Sequence, residues 1–228
     1  MAEHRLPGTP PVPLVLRRSG RARRISLRVS GLDGRVTLTV PRGVPEAEAL
    51  NFARSKAEWI RRHLAARPDE VIVAPGVTLP VEGALLRVER GTGRGVRLNG
   101  GTVVVPGAET GPRLQAWLRE LARDRLTAAA DRHARALNRT YSRITLRDTR
   151  SRWGSCSSRG ALSFSWRLIL APPEILDYVA AHEVAHLAEM NHSPAFWAHV
   201  ERLYGPHKQA RRWLRENGPA LHRYRFQG

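Results

Sequence analysis

Three histidines within eleven residues, His182, His186 and His192, constrain this chain more than any other feature, and Glu183 stands next to the first of them. On a helix, side chains at i and i+4 are neighbours one turn apart. On a strand the same two residues lie about 13 Å apart. The segment before them supplies a helix start. In Pro172-Pro173-Glu174 a proline suits the first turn, where its missing N–H is not needed, and the carboxylate faces the positive end of the helix dipole. On such a helix both imidazoles reach one cation, and zinc favours nitrogen donors of this kind. Glu183 is turned about 100° around the axis. That places it beside a bound ion rather than on it, where it can take the proton of an attacking water as general base.

A catalytic zinc needs a third protein ligand from another direction, with one position left open. Glu189 shares the face of His182 and His186, but three ligands stacked along one straight helix do not converge tetrahedrally. His192 is the better candidate, because the helix should end just before it. Asn191 tolerates the left-handed turn that ends helices. Ser193 can cap a new helix whose first residue is Pro194. Chance produces the first two histidines with their glutamate about 0.02 times in a chain of this content, and all three histidines less than about 0.001 times. Downstream, His199, Tyr204 and His207 are candidates for oxyanion or ligand contacts, or for simple packing.

The remainder of the chain reads as an α+β protein with a β-rich N-terminal lobe over 1–107 and a metal-binding lobe over 108–228. Residues 24–29 and 35–40 alternate apolar with polar around Gly31-Leu32-Asp33-Gly34, a hairpin signal. Residues 46–66 carry apolar side chains at helical spacing, and short strands are expected at 71–73, 85–89, 96–98 and 102–105. A long helix is expected over 112–138. Leu162, Phe164, Trp166 and Leu168 alternate with polar residues and predict one half-buried strand. There is an internal echo: residues 34–41 and 100–106 are both Gly-led β-type runs ending in proline, and a helix follows each.

The chain has 228 residues and one Cys, which excludes an internal disulfide framework and a four-Cys zinc ribbon. No run of about 18 apolar residues offers a membrane span, and the proline-rich start lacks the apolar core of a signal peptide. Together these absences point to the cytoplasm; oligomeric state has no signature. The net charge of +18 is almost all arginine, since Lys56 and Lys208 are the only lysines. It spreads as about +7, +5 and +6 over residues 1–70, 71–140 and 141–228. Its densest clusters are Arg17, Arg18, Arg21, Arg23, Arg24 and Arg28, then Arg143, Arg147, Arg150 and Arg152. They suit DNA or another polyanion, or serve as a general solubilising surface.

Arg152-Trp153-Gly154-Ser155-Cys156, then His182-Glu183-Val184-Ala185-His186, then Met190-Asn191-His192-Ser193-Pro194-Ala195-Phe196-Trp197 together closely resemble the YgjP-like metallopeptidase family, related to the SprT and WLM zincin-like proteases. The resemblance is strongest over 140–217. It implies a zincin-like lobe with the metal helix beside a small antiparallel sheet, Zn2+ on the three histidines, Glu183 as catalytic acid/base, and a peptide or protein substrate. It also implies that the strand through Phe164 and Trp166 borders the cleft and pairs with extended peptide; these two residues and Arg152 are the substrate-binding candidates. Metzincins have the same histidine spacing but place Gly where this chain has Glu189, so their turn is not carried over. SprT-type proteins often add a Cys-rich zinc module, which is absent. Cys156 reads as a small packing residue rather than a nucleophile. Two alternatives stand beside the peptidase: a metal-dependent hydrolase of phosphoanhydrides such as nucleotides, and a non-catalytic nucleic-acid-binding protein with structural zinc.

Overall fold

Alternation of Val36, Leu38 and Val40 with threonines builds the centre of the first sheet. In the computed structural model, which describes residues 2–31, 33–66 and 69–227, these three side chains are buried and the threonines between them only partly so. The chain divides into two compact units, 1–69 and 70–228. In the first, β1 (Ala2–Leu6), β2 (Val12–Ser19), β3 (Ser26–Val29) and β4 (Val36–Pro41) form a sheet in the order β1-β2-β4-β3. The β3–β4 pair is the expected hairpin, antiparallel with Ser26 opposite Thr39; Leu32 of its turn lies outside the described residues. The single helix expected over 46–66 is two, α1 (Glu46–Ser55) and α2 (Ala57–Ala65). The break follows Ser55, whose Oγ donates to the Phe52 carbonyl and offers the backbone an alternative to the helical ladder. Ala49, Ala53 and Ile60 close this unit's own core over Leu14, Leu16 and Leu38.

The second unit opens with β5 (Val71–Ile72), β6 (Thr78–Val81), β7 (Ala84–Gly91), β8 (Arg97–Asn99) and β9 (Thr102–Pro106). The last four form a sheet in the order β6-β7-β9-β8. Its outer pairs are antiparallel and its central pair is parallel. The first unit's sheet has the same order and the same pairing senses. The internal echo noted in the sequence falls on the equivalent strands β4 and β9, each followed by a helix. The helix after β9, α3 (Thr110–Ala136), buries Leu114, Leu118, Ala122 and Leu126, and the chain turns at left-handed Asn138 beyond it.

The expected lobe boundary at 107/108 differs from the division at 69/70. Leu79, Val81, Val88, Val103 and Val105 of the second sheet join one core with α3, Phe164, Trp166 and Ile175, so 70–107 belong with the histidine-bearing part of the chain. At the end of the chain β13 (Tyr224–Arg225) pairs in parallel with β5.

The third sheet comprises β10 (Arg143–Arg147), β11 (Gly154–Cys156) and β12 (Ala161–Ser165), in the order β10-β12-β11. It is mixed rather than antiparallel, because β10 runs parallel to β12. β12 stops at Ser165, and residues Trp166–Leu170 form a 3-10 turn instead of continuing the strand. The reason is Arg167, whose guanidinium is drawn inward. It makes a two-pronged contact with Asp148 (2.7 and 3.1 Å) and donates to the Leu221 and Tyr224 carbonyls at 3.1 Å each. Helices α4 (Pro173–Ala185), α5 (Pro194–Tyr204) and α6 (Lys208–Leu221) complete the unit. No helix among the described residues is long and apolar enough to cross a membrane.

Candidate metal centre

Small residues let α4 run through the core: Ala180, Ala181, Val184 and Ala185 are all fully buried. The helix begins at Pro173, as its sequence dictates, and brings His182 and His186 to one face. It ends earlier than expected. His186 is already its C-terminal cap, and three further turn hydrogen bonds, from the Leu187, Ala188 and Glu189 amides, carry the chain round. Asn191 is not left-handed; among the described residues only Glu82 and Asn138 are non-glycine residues with positive φ. The second half of the bend follows expectation. Ser193 caps α5, its Oγ accepting the Phe196 amide at 3.2 Å, with Pro194 as first residue. His192 immediately precedes this cap.

The bend brings His192 to the other two histidines. One ligand nitrogen from each of His182, His186 and His192 lies within 4.8 Å of the others. His192 Nε2 and His182 Nε2 face each other at 3.1 Å. Nitrogens on a tetrahedral zinc with bonds of 2.0–2.1 Å are about 3.3 Å apart, so the set fits such a cation with small rotations of the rings. His186 Nδ1 lies 3.1 Å from the Glu189 carbonyl, an interaction that holds the ring and leaves Nε2 as the free donor. Glu189 thus contributes its backbone to orient the His186 ring; its carboxylate is not part of the cluster.

Electrostatics favours neutral donors. Burial, then the neighbouring His186 and His192, pushes the His182 pKa down to about 3, and burial lowers that of His186. Both rings therefore offer lone pairs at neutral pH. Phe196 lies under all three, with ring centroids 4.9, 4.4 and 4.7 Å from His182, His186 and His192. Beside His182, the His207 ring stacks on Trp197 at 4.8 Å and on Tyr178 at 6.3 Å, with Tyr204 packed against Tyr178. His199 makes none of these ring contacts.

Glu183 faces the third sheet. The residue is 6% exposed, and burial raises its carboxyl pKa to about 8, against a smaller opposing pull from Arg152. It lies against the backbone of Gly154, where a Cβ would come within 2.5 Å of its Cγ and Oε1. A buried carboxylate tuned towards neutrality is suited to proton transfer.

The substrate-binding candidates separate. Arg152 is exposed next to Glu183. Phe164 and Trp166 are 1% and 0% exposed, inside the core, and neither can touch a substrate. β12, which carries Phe164, is the central strand; the edge strand against α4 is β11. The Ser165 amide donates to Trp153 O and the Ser157 amide to Ala161 O, so alternation turns the amide groups of Gly154 and Cys156 away from β12. Burial, then the charge of Glu183, raises the Cys156 thiol to about 11, which keeps it protonated and un-nucleophilic.

Phe196 and Gly154 lie inside the motifs that carry the family resemblance, but nothing in the sequence singles them out or gives their part in the site. The cap Ser193 places Phe196 in the first turn of α5, but its position under the rings depends on how α5 meets α4.

Across residues 23–217 the sequence matches the model of the YgjP-like metallopeptidase domain. The chain belongs to the YgjP-like metallopeptidase family. Its members are metal-dependent peptidases by description, in keeping with the histidine cluster. Among solved structures, the metallopeptidase zymogen abylysin of Pyrococcus abyssi is similar at 19% identity and a TM-score of 0.36, over 40% of this chain and 95% of that one. A comparison with curated proteins found no match.

Proposed function

We propose that this YgjP-like protein is a zinc peptidase that cleaves peptide bonds with Glu183 as general base. The observation that carries the reading is the convergence of three nitrogen donors within 4.8 Å beside a buried glutamate. His182, His186 and His192 would hold the ion. Bound zinc supplies Lewis acidity, making a water acidic near neutral pH and polarising a carbonyl. Glu183 accepts the proton of the attacking water and delivers it to the departing amine. Its pKa of about 8 in the protein alone falls in the presence of a cation, so the carboxylate is ionised when needed. The outward amide groups of Gly154 and Cys156 hold an extended peptide as an added strand, across the side of β11 that Glu183 faces.

Metal analysis with activity assays tests this. The wild-type protein should carry about one zinc, lost in His182→Ala. Glu183→Gln should keep zinc while peptide cleavage falls by about 10³-fold or more. Zinc-free wild type would remove the reading, as would a fully active Glu183→Gln. Turnover of nucleoside triphosphates without any peptide cleavage would replace it with the phosphoanhydride reaction.

A further inference from the structure

On the side of the third sheet away from α4 there is an open groove of about 1040 Å³. Strand register decides what faces it. Gly154, Leu162 and Phe164 point towards the helix and core, so Ser155, Ser163 and Thr145, which are cross-strand partners, form a row of hydroxyls on the opposite face. Arg143 and Arg147 flank that row on β10, and Arg152 and Arg159 close it from the two ends of the β11 segment. Four of the fifteen lining residues are arginine and none is acidic.

Some arginines of this unit are matched, Arg125 with Glu82, Arg132 with Asp177, Arg167 with Asp148 and Arg225 with Glu70. Others, such as Arg90 and Arg94, stand exposed as the groove's do, so what marks the groove is four arginines gathered around one row of hydroxyls. All four of the groove's arginines are exposed; among the described residues none has a carboxylate within ion-pair distance, though the charge of Arg152 is felt by Glu183. Unpaired positive charge beside a row of hydroxyls is the donor set of a phosphate-binding surface. Arg143, Thr145 and Arg147 recur at about 6.6 Å along one strand, a spacing suited to successive phosphates of an extended strand. The groove has no aromatic residue to stack bases on.

We propose that this groove binds the phosphodiester backbone of single-stranded nucleic acid, without reading its bases. The groove adjoins the hydrolytic site, sharing Arg152 and strand β11 with it, but the binding does not depend on its reaction. It contributes a sequence-independent, strongly salt-dependent affinity.

Fluorescence anisotropy of a labelled 20-nucleotide oligothymidylate with the full chain, over a salt series, tests it. Wild type should bind. Arg143→Glu with Arg147→Glu should weaken binding at least tenfold and reduce the salt slope by roughly one to two. Arg143→Gln with Arg147→Gln should do the same to a lesser degree, with circular dichroism checking that each variant is folded. Arg90→Glu with Arg94→Glu changes charge equally on exposed residues outside the groove and should alter affinity by less than about twofold. Three results would overturn the proposal. They are no wild-type binding at low salt, equal losses in groove and control variants, and displacement by thymidine monophosphate as effective as by unlabelled oligomer at matched nucleotide concentration and ionic strength. The last would assign the groove to a small phosphate.

Discussion

Gly154 holds the Glu183 carboxylate in place by having no side chain. A Cβ there would meet Glu183 at 2.5 Å, and the glutamate sits on a buried helix that cannot retreat. Gly154→Ala must therefore push the carboxylate aside, and a displacement near 1 Å costs on the order of 10² in rate. The expected outcome is a loss of about that size in kcat/KM with metal content unchanged, checked by steady-state assay and metal analysis. Glu183 also leaves a signature in stability. Its pKa of about 8 in the folded, metal-free protein lies above the ordinary value near 4.3 in the unfolded chain. The folded state thus keeps a proton that the unfolded chain gives up. The stability linked to that proton is fully present below about pH 4.3 and is lost as pH rises through about 8. Metal-free Glu183→Gln should equal wild type near pH 4.5 and exceed it at pH 8 by on the order of a few kcal/mol, as read by urea unfolding. The lowered histidine pKa values act in the opposite direction in both proteins, and the comparison at each pH removes most of their effect.

Between α4 and α5, a short bend decides whether the third histidine arrives. Ser193→Ala removes the side-chain acceptor of the Phe196 amide, at a cost of about 1 kcal/mol. The same change loosens both His192, next in the chain, and Phe196 beneath the rings. The expected result is a lower melting temperature together with several-fold faster loss of metal to a chelator, whereas a purely structural cap would change only the first. The metal site is legible in the sequence because its code is local: i and i+4 histidines, then Ser-Pro opening a new helix. The strand through Phe164 and Trp166 misleads for the opposite reason. Period-two alternation runs from Leu162 to Leu168, yet Arg167 finds Asp148 and two carbonyls near the end of the chain, so the strand stops and Trp166 goes into the core. A polar residue with a distant buried partner has the same pattern as one facing water. The roles of Gly154 and Phe196, though both lie in the resemblance motifs, are hidden in the sequence similarly, since each acts through an approach between elements.

Two sheets of identical order and sense, β1-β2-β4-β3 and β6-β7-β9-β8, stand in different cores. Their sequences carry the same alternation, which is why pattern alone groups them as one N-terminal lobe. What separates them is long-range packing. Every buried apolar residue of the first core lies at or before Ile60, and every one of the second at or after Val73. Val88, Val103 and Val105 cover the buried stripe of α3, and the backbone of Glu82, just after β6, is hydrogen-bonded to Ile169 in the 3-10 turn at 2.8 Å. A fragment of residues 70–228 should therefore fold by itself, bind one metal ion and cleave peptides, because it keeps the whole core under α4. A fragment of 108–228 would strip that sheet from α3 and leave Leu114, Leu118 and Phe164 without part of their cover, a loss that compounds at about 25 cal/mol per Å² of apolar area. It should aggregate or lack a cooperative transition. Circular dichroism melts and bound-metal measurements on the two fragments distinguish the cases: equal folding of both would restore the boundary at 107/108, and failure of 70–228 alone would mean that the metal unit needs the first sheet.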